Sequence, residues 1–579
     1  MRNSFLPFLM SKRLSLRGLL LIALGISSLS LQAAPRIPAE VLNNGLVYCA
    51  SNTGLSFNPQ SAEDGTSMNI VTAQIYNRLF AIKKNSDKVM PELATGYSMS
   101  ADGKTLLIYL RHHVKFQQTP WFTPTRNFNA DDVVFSLNRM LGRTLDSAHP
   151  TSKILRKLGY YPGLQINIYH QQAKKIRFPY FQSIKLNEKI QSIDAIGKYT
   201  VRIRLYTPDY SILSHLASQY AIIFSQEYAT QLDADDNLSN LDIFPVGTGP
   251  YQLNSFFRNQ YVRLVRNKHY WGKKAKIKNV VIDLSNNQSG RMLKFLNNEC
   301  QIAATPELSQ LEILEQSRGR NYYLHEAESM NLAYLAFNFH KDLMQDERIR
   351  RAISQAINRK RIVNALYYGN ASVANHLIPN TSWAFQPDVH PFDYGYDPVQ
   401  ARKILAPLHL TLNLWVINEE HVYNPSPISM AEIIQYDLNK AGVNVKIRYI
   451  TRPFLNQHLE DDTADYDLIL TGWLSNNLDP DNFMHPILSC STQNDVTNLS
   501  HWCNADFEYK LKQALLSNKT AQRATFYNQA QDIVLNKLPI IPIANVKRIL
   551  VVKDRVRGLN SMSYGNIQFS ALALKTEAK

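Results

Sequence analysis

The sequence predicts an α/β protein with more than one domain, and three observations carry this prediction. The 579 residues exceed what a single hydrophobic core usually holds. Apolar residues make up 45% and charged residues 19% of the chain, which is an ordinary globular composition. Patterns of strands and helices alternate along the chain without an internal repeat, which favours α/β lobes over a bundle or a sandwich.

The first third of the chain begins this alternation. A short strand is predicted at 46–50, a helix at 70–80 and a strand at 105–111. Asn129 is predicted to cap the next helix, because two aspartates follow it where the positive end of a helix dipole lies.

The rest of the chain continues in the same way. Asp346 is predicted to cap a helix whose apolar residues fall on one face. Strands are predicted at 200–205, 280–284, 412–416, 443–447 and 466–470, and a further helix at 430–438.

The first 33 residues have the layout of a signal peptide. Four Lys or Arg residues precede an apolar run at 18–31, and the small residue Ala33 follows. The run is too short to span a membrane and no stop-transfer segment follows, so we expect cleavage after Ala33. The alternative is a single N-terminal anchor helix. A lipid anchor is not expected, because no Cys lies at the junction.

The four cysteines predict two disulfides, because an even, small number in an exported chain is typical of paired thiols. Cys490 and Cys503 enclose a short loop and are natural partners, which leaves Cys49 with Cys300. No C-x-x-C pair is present, so the spacing does not fit a metal site.

The chain is basic. Its formal charge of +16 falls to +12 when the four bases of the first 33 residues are removed. Residues 147–187 contain seven Lys or Arg and no acid, which is typical of a solvated surface loop or of a contact patch for an anionic surface. A stable nucleic-acid partner is not expected, because no RNP-type aromatic motif and no zinc finger occur.

Catalytic constellations are missing from the sequence. It contains no G-x-S-x-G elbow, no H-E-x-x-H pair and no phosphate-binding P-loop. The glycines at 247 and 249 lack the third glycine of a dinucleotide site. Binding is therefore the leading class of function, and an enzyme is not expected.

A series of motifs resembles the large periplasmic binding proteins of dipeptide and oligopeptide transporters. Residues 121–126 and residues 501–503 resemble the sequences of one branch of this family, which is associated with resistance to antimicrobial peptides. The matching stretches occur in the family's order at 91–94, 100–105, 110–111, 114–116, 129–133, 245–251, 338, 346–357, 397–398, 472–473 and 479–483.

The resemblance implies two lobes built from three domains, with the ligand in a cleft between the lobes. The protein is expected to be a monomer in the periplasm of a Gram-negative cell. Its expected ligand is a peptide, and its expected partner is an ABC permease of the inner membrane. Closure of the lobes hides the ligand, because the ligand's extra contacts stabilise the closed form. The implied boundaries are 1–33 for the signal peptide, 34–73, 225–328 and 548–579 for lobe 1, 74–224 for a domain inserted into lobe 1, and 329–547 for lobe 2.

The resemblance also implies the ligand-binding residues, and two of them depart from the family. Asn476 stands where peptide-binding members have an Asp for the ligand's amino group. His421 stands where the dipeptide branch has an Arg for its carboxylate, so free dipeptides are expected to bind poorly. The full set is Asp64, Gly65, His421, Tyr423, Gly472, Trp473, Leu474 and Asn476.

Two alternatives stay open at this point. A neighbouring acid, Glu419 or Glu420, could take over the amine-binding role, and acids near the cleft would suit a cationic peptide. Some family members carry haem instead, with His421 as the candidate axial ligand. No resident cofactor is expected; haem would be a transported ligand.

Overall fold

The computed structural model describes most of the chain. The signal peptide, Asp64, Gly65, Asn476 and most of the basic segment 147–187 lie outside the described part. The described residues are 45–50, 57–61, 69–83, 88–142, 179–235, 237–284, 287–317, 319–387, 395–475, 477–559 and 567–575.

Strands run through the whole described chain. They are β1 (Leu46–Cys49), β2 (Phe80–Ile82), β3 (Val89–Pro91), β4 (Ala94–Met99), β5 (Thr105–Leu110), β6 (Ile190–Gly197), β7 (Thr200–Leu205), β8 (Tyr251–Phe257), β9 (Tyr261–Arg266), β10 (Asn279–Asp283), β11 (Ile302–Ala304), β12 (Tyr322–Ala327), β13 (Met330–Phe337), β14 (Ala371–Val373), β15 (Thr411–Ile417), β16 (Asn444–Ile450), β17 (Leu468–Ser475), β18 (Ile540–Val546), β19 (Arg548–Lys553), β20 (Val556–Arg557) and β21 (Ala573–Leu574).

Helices alternate with these strands. They are α1 (Asn69–Ile75), α2 (Ala130–Met140), α3 (Pro179–Ser183), α4 (Leu186–Lys189), α5 (Ile212–Leu216), α6 (Gln226–Ala234), α7 (Gln288–Leu296), α8 (Leu311–Gln316), α9 (Asp342–Gln345), α10 (Glu347–Ala356), α11 (Arg359–Tyr367), α12 (Pro398–Leu405), α13 (Pro427–Lys440), α14 (Arg452–Glu460), α15 (Asp481–Leu488), α16 (Ala505–Leu516) and α17 (Thr520–Lys537). Within the described residues, none of them is both long and apolar enough to cross a membrane.

The first large sheet draws its strands from distant parts of the chain. Its order is β12-β19-β11-β1-β10-β9-β8, and β1 lies parallel to both β10 and β11. A separate four-stranded sheet, β4-β5-β7-β6, is antiparallel throughout. One hydrophobic core joins the two, with Leu46 from the first and Leu106 from the second both fully buried. We call this body lobe 1 and the residues around the four-stranded sheet its inserted domain.

The second large sheet is built from one continuous stretch of chain. Its order is β14-β18-β13-β17-β15-β16, and β15 lies parallel to β16 and β17. Apolar side chains cover both faces of it, with Leu414 on one face and Trp415 on the other. This body is lobe 2, and the two-lobed α/β architecture is confirmed. The domain boundaries stay a prediction.

Both predicted disulfides form. Cys49 is bonded to Cys300 and Cys490 to Cys503, with Cα atoms 6.0 and 4.4 Å apart. The first bond joins the end of β1 to the residues that precede β11, inside lobe 1. The second closes the short loop between α15 and α16 in lobe 2.

The two predicted helix caps are confirmed. The Asn129 side chain accepts a hydrogen bond from Asp131 N at 2.9 Å, and the Asp132 carboxylate accepts one from Asn129 N at 2.9 Å. Asp346 accepts one from Arg348 N at 2.8 Å. These caps satisfy amide groups that the first turn of a helix leaves unbonded.

The helix predicted at 70–80 is too long. It ends at Ile75, and Phe80 begins β2 instead. The Ile75 carbonyl accepts hydrogen bonds from Gly249 N at 2.8 Å and from the Gln117 side chain at 2.9 Å. Those donors come from distant segments and replace the amide that a continuing helix would supply, so the local pattern could not predict the end.

Candidate ligand-binding site

The predicted site residues of lobe 2 lie on β17 or in the loops that follow β15 and β17, two parallel strands. The loop 418–426 comes directly after β15, and residues 477–480 follow β17. The carboxyl ends of parallel strands meet at one edge of a sheet, which is where ligands of α/β proteins bind. The edge faces the inserted domain of lobe 1, because Asn477 Nδ2, from the loop after β17, donates to the Ser214 carbonyl at 3.3 Å.

His421 and Tyr423 form a stacked pair in the first of these loops. Their ring centroids are 4.9 Å apart with 17° between the planes. The Tyr423 carbonyl accepts a hydrogen bond from Tyr367 Oη at 2.8 Å. The loop itself is closed by two mutual main-chain bonds of 3.0 Å between His421 and Asn424. The pair is therefore a fixed platform.

Gly472 makes room for this platform. A Cβ added at Gly472 would lie 2.6 Å from the Leu332 carbonyl oxygen and 2.6 Å from Tyr423 Cε2. Only glycine lets the Tyr423 ring lie this close to β17. The structure thus brings His421, Tyr423 and Gly472 together, and their role in ligand binding stays a prediction.

Trp473 and Leu474 lie on opposite faces of β17, as neighbouring strand residues do. The Trp473 indole donates to the Asn482 carbonyl at 3.0 Å, and its side chain packs into the core beside α15. Leu474 packs into the core on the other face of the sheet. Both are nearly buried, so any ligand contact they make is at the edge of a packed core.

The Glu419 carboxylate is held in place by two neighbours. One oxygen accepts a hydrogen bond from Arg452 N at 3.0 Å, at the start of α14. The other lies 3.8 Å from His421 Nε2. This bonding restricts the freedom of Glu419 to move toward a ligand's amino group.

The loop after β17 is held on both sides of position 476. Asn482 Nδ2 donates to Ser475 Oγ at 2.6 Å, and Ser475 Oγ donates to the Asn477 carbonyl at 2.9 Å. Asn477 Nδ2 donates to the Ser214 carbonyl of the inserted domain at 3.3 Å. The two neighbours of Asn476 are therefore buried and fixed.

A buried ionic cluster lies next to this loop and joins the inserted domain to lobe 2. Lys189 Nζ of the inserted domain lies 3.0 Å from Asp209 Oδ2 and 3.9 Å from Asp481 Oδ2. His215 Nε2 lies 3.2 Å from Asp481 Oδ2, and His485 Nδ1 lies 3.1 Å from Asp481 Oδ1. A carboxylate of lobe 2 thus meets a cation and an imidazole of lobe 1.

The charges of this cluster depend on one another. Burial alone would raise the pKa of Asp481, but Lys189, His485 and His215 hold it well below its usual value. The pKa of Asp209 is lowered in the same way, against burial, chiefly by Lys189. Burial works to lower the pKa of Lys189, yet Asp209 and Asp481 raise it overall. Removal of one partner would leave the others as costly buried charges.

A second ion pair extends the cluster within lobe 2. Arg523 donates to Asp479 Oδ1 at 2.9 Å and to Tyr527 Oη at 3.0 Å. Ser214 Oγ of the inserted domain reaches Asp479 Oδ2 at 3.3 Å. Sequence reasoning missed the role of Lys189, His215 and Arg523, because the sequence contains no local signal that pairs them with the motif 479–483.

The described residues do not form a metal site: no group of three or more His, Cys, Asp or Glu side chains among them could hold an ion.

Known proteins are similar to this chain over most of its length. The family model described as "Bacterial extracellular solute-binding proteins, family 5 Middle" matches residues 88–495. The chain is 56% identical to the peptide transport periplasmic protein SapA of Haemophilus influenzae, over 97% of this chain and 98% of that protein. It is 31% identical to heme-binding protein A of the same organism, over 92% of each.

A solved structure shows the same architecture. The dipeptide-binding protein from Pseudoalteromonas sp. SM9913, in complex with Met-Leu, matches with a TM-score of 0.80 and 33% identity, over 92% of this chain and 100% of that chain. The resemblance inferred from the ordered motifs is thereby confirmed. The chain belongs to the family 5 bacterial extracellular solute-binding proteins.

Proposed function

We propose that this protein captures a peptide between its two lobes in the periplasm and delivers it to an inner-membrane ABC permease. The observation that carries the proposal is the His421–Tyr423 platform at the carboxyl ends of the lobe 2 strands, beside a loop that bonds to the inserted domain of lobe 1 through Asn477. Peptide-transport relatives and a dipeptide-bound neighbour support the choice of ligand.

The proposed ligand is a peptide that is not held by its two charged ends. A stacked, nearly buried imidazole at 421 replaces a guanidinium, and an amide at 476 replaces a carboxylate. Neutral hydrogen bonds are about half as strong as charge-assisted ones. A short free dipeptide therefore lacks a charge-assisted bond at its amino end and at its carboxyl end, and it should bind weakly. A longer or cationic peptide, such as an antimicrobial peptide, can place its charges elsewhere.

Haem is the weaker candidate. The His421 side chain is only 9% exposed and one face of its ring lies against Tyr423. An axial ligand needs an open nitrogen with space for a macrocycle beyond it. This chain is 31% identical to the relative named heme-binding protein A, and it is 56% identical to the relative named for peptide transport.

We further propose that the protein acts as a monomer without catalysis, resident cofactor or stable nucleic-acid partner, and that the signal peptide is cleaved after Ala33. The carboxylates and imidazoles of the cluster beside the site are bonded to one another. Asp209, His215 and Asp481 are also buried, so a ligand in the site does not contact them.

The decisive experiment is native mass spectrometry of the protein taken directly from the periplasm. The proposal expects a trapped peptide, whose mass and fragments give its length and charge. Calorimetric titration with a dipeptide panel follows, with weak or no binding expected. A haem mass with a Soret band, or tight dipeptide binding by the wild type, would contradict the proposal.

A further inference from the structure

We propose that lobe 1 carries a second ligand site, which binds a phosphate-bearing anion and is separate from the site between the lobes. It is a cavity of about 600 Å³, within the size range of small-molecule sites. Its lining includes Lys115, Gln118, Arg126, Asn127, Lys198 and His269.

The walls of this cavity are held by main-chain bonds. Lys115 pairs with Asn127 in an antiparallel bridge. The turn between β6 and β7 is attached to the same wall, because Ala130 N donates to the Lys198 carbonyl at 2.9 Å. The part of the wall that contains His269 is also fixed, because His269 N donates to the Asn267 side-chain oxygen Oδ1 at 3.0 Å. The two lysines and His269 therefore start from rigid positions and lose little backbone freedom when a ligand binds.

The lining is cationic. Lys115, Arg126 and Lys198 contribute positive charge, and no carboxylate belongs to the lining among the described residues. The positive charge of Arg126 is compensated by the Asp132 carboxylate, because both terminal nitrogens of Arg126 donate to it at 2.8 Å. Within the described chain, Lys115 and Lys198 form no ion pair. The Lys198 ammonium lies 5.9 Å from the centroid of the Tyr199 ring. Two cations without a carboxylate partner on a concave wall give a positive potential, which a bound anion relieves.

A basic stretch of surface continues from the cavity through His269. Residues 266–278 contain six Lys or Arg, together with His269, and no acid. The side chains of Lys268, Lys273, Lys274, Lys276 and Lys278 are exposed. The cavity thus lies at one end of a positively charged surface, which favours anions that carry more than one charge.

The shape and the donors indicate a phosphate-bearing molecule. Lysine ammonium groups bind phosphate as point charges, and the amides of Gln118 and Asn127 can add neutral donors. The volume exceeds what a lone phosphate fills, so the natural ligand is a larger molecule. The phosphate can belong to a soluble compound or to a lipid headgroup, and the test separates the two.

Inorganic pyrophosphate is the first probe. Isothermal titration calorimetry should show binding to the wild type, and the variant Lys115→Gln/Lys198→Gln should bind at least about tenfold more weakly, because two charge-assisted bonds are lost. The matched control is Lys360→Gln/Lys512→Gln, which removes the same charge from exposed positions of lobe 2. Lys198→Arg, which keeps the charge, should retain most of the affinity. Thermal melting checks that each variant is folded.

The second arm uses vesicles of phosphatidylglycerol mixed with phosphatidylcholine, with pure phosphatidylcholine as reference. The pocket is assigned to a lipid headgroup if the protein sediments with the mixed vesicles but not with pure phosphatidylcholine. This sedimentation should be reversed by pyrophosphate and lost in the double variant. Pyrophosphate binding without sedimentation assigns it to a soluble phosphate compound. The inference is overturned if neither probe binds, or if the control variant loses as much affinity as the double variant.

Discussion

The buried cluster between the inserted domain and lobe 2 gives the sharpest stability prediction. Substitution Lys189→Met keeps an unbranched chain but removes the cation that lies 3.0 Å from Asp209 and 3.9 Å from Asp481. Both carboxylates are fully enclosed, with Asp481 side-chain exposure at 0%. Loss of one partner of a buried ion pair costs about 3–5 kcal/mol. We expect the unfolding free energy to fall by an amount in that range.

The pH dependence of the loss identifies its cause. Asp209 and Asp481 have pKa values below their usual range in the folded wild type. They therefore stabilise the fold above an unfolded carboxyl pKa of about 3.9, and that stability is lost as the pH falls through their folded pKa values. Without Lys189 these pKa values rise, so acid unfolding of the variant should begin at higher pH.

Urea unfolding followed by fluorescence at several pH values measures both effects. Lys360→Met, an exposed lysine on α11, is the control and should change little. The double variant Lys189→Met/Asp209→Asn should recover part of the loss, because one of the two uncompensated charges is gone. A Lys189→Met variant as stable as the control, with the same acid midpoint as the wild type, would refute the reasoning.

Three further predictions concern the site and the disulfides. Gly472→Ala should cost about 1–3 kcal/mol and weaken ligand binding, because the new methyl group would meet Leu332 O and the Tyr423 ring; Gly96→Ala, with open space around it, is the control for thermal melting and calorimetry. Asn476→Asp with His421→Arg should confer dipeptide binding more than additively, measured by titration of both single variants and the double; no gain would show that the pocket differs from the proposed one. Loss of the Cys49–Cys300 bond through alanine substitution should lower stability by about 2–5 kcal/mol, and equal denaturation midpoints with and without the bond would contradict this.

The features that the sequence predicted correctly depend on neighbours in the chain or on a family pattern. Asn129 and Asp346 cap helices because the amides they accept from lie two positions away. The pairing of Cys490 with Cys503 follows from a separation of 13 residues. Such features require no knowledge of the tertiary structure.

The features that the sequence did not predict depend on contacts between distant segments. Helix α1 stops at Ile75 because Gly249 and Gln117 reach its last carbonyl. His215 and Asp481 meet across 266 positions of chain. The cationic cavity requires three segments and a loop of another sheet to converge, and a pattern of charges along the sequence does not show which lysines will face one another.

The placement of the buried cluster explains how ligand capture and lobe closure can be coupled in this protein. The short loop after β17 holds position 476, where the family places a ligand contact. The same loop bonds to Ser214 of the inserted domain through Asn477, and the residues that follow it meet Lys189 and His215. A movement of the inserted domain away from lobe 2 would break these bonds and expose the carboxylate of Asp481. A ligand that binds both lobes opposes that movement, and the cluster in turn favours the geometry that the ligand requires, because coupling between two sites is reciprocal.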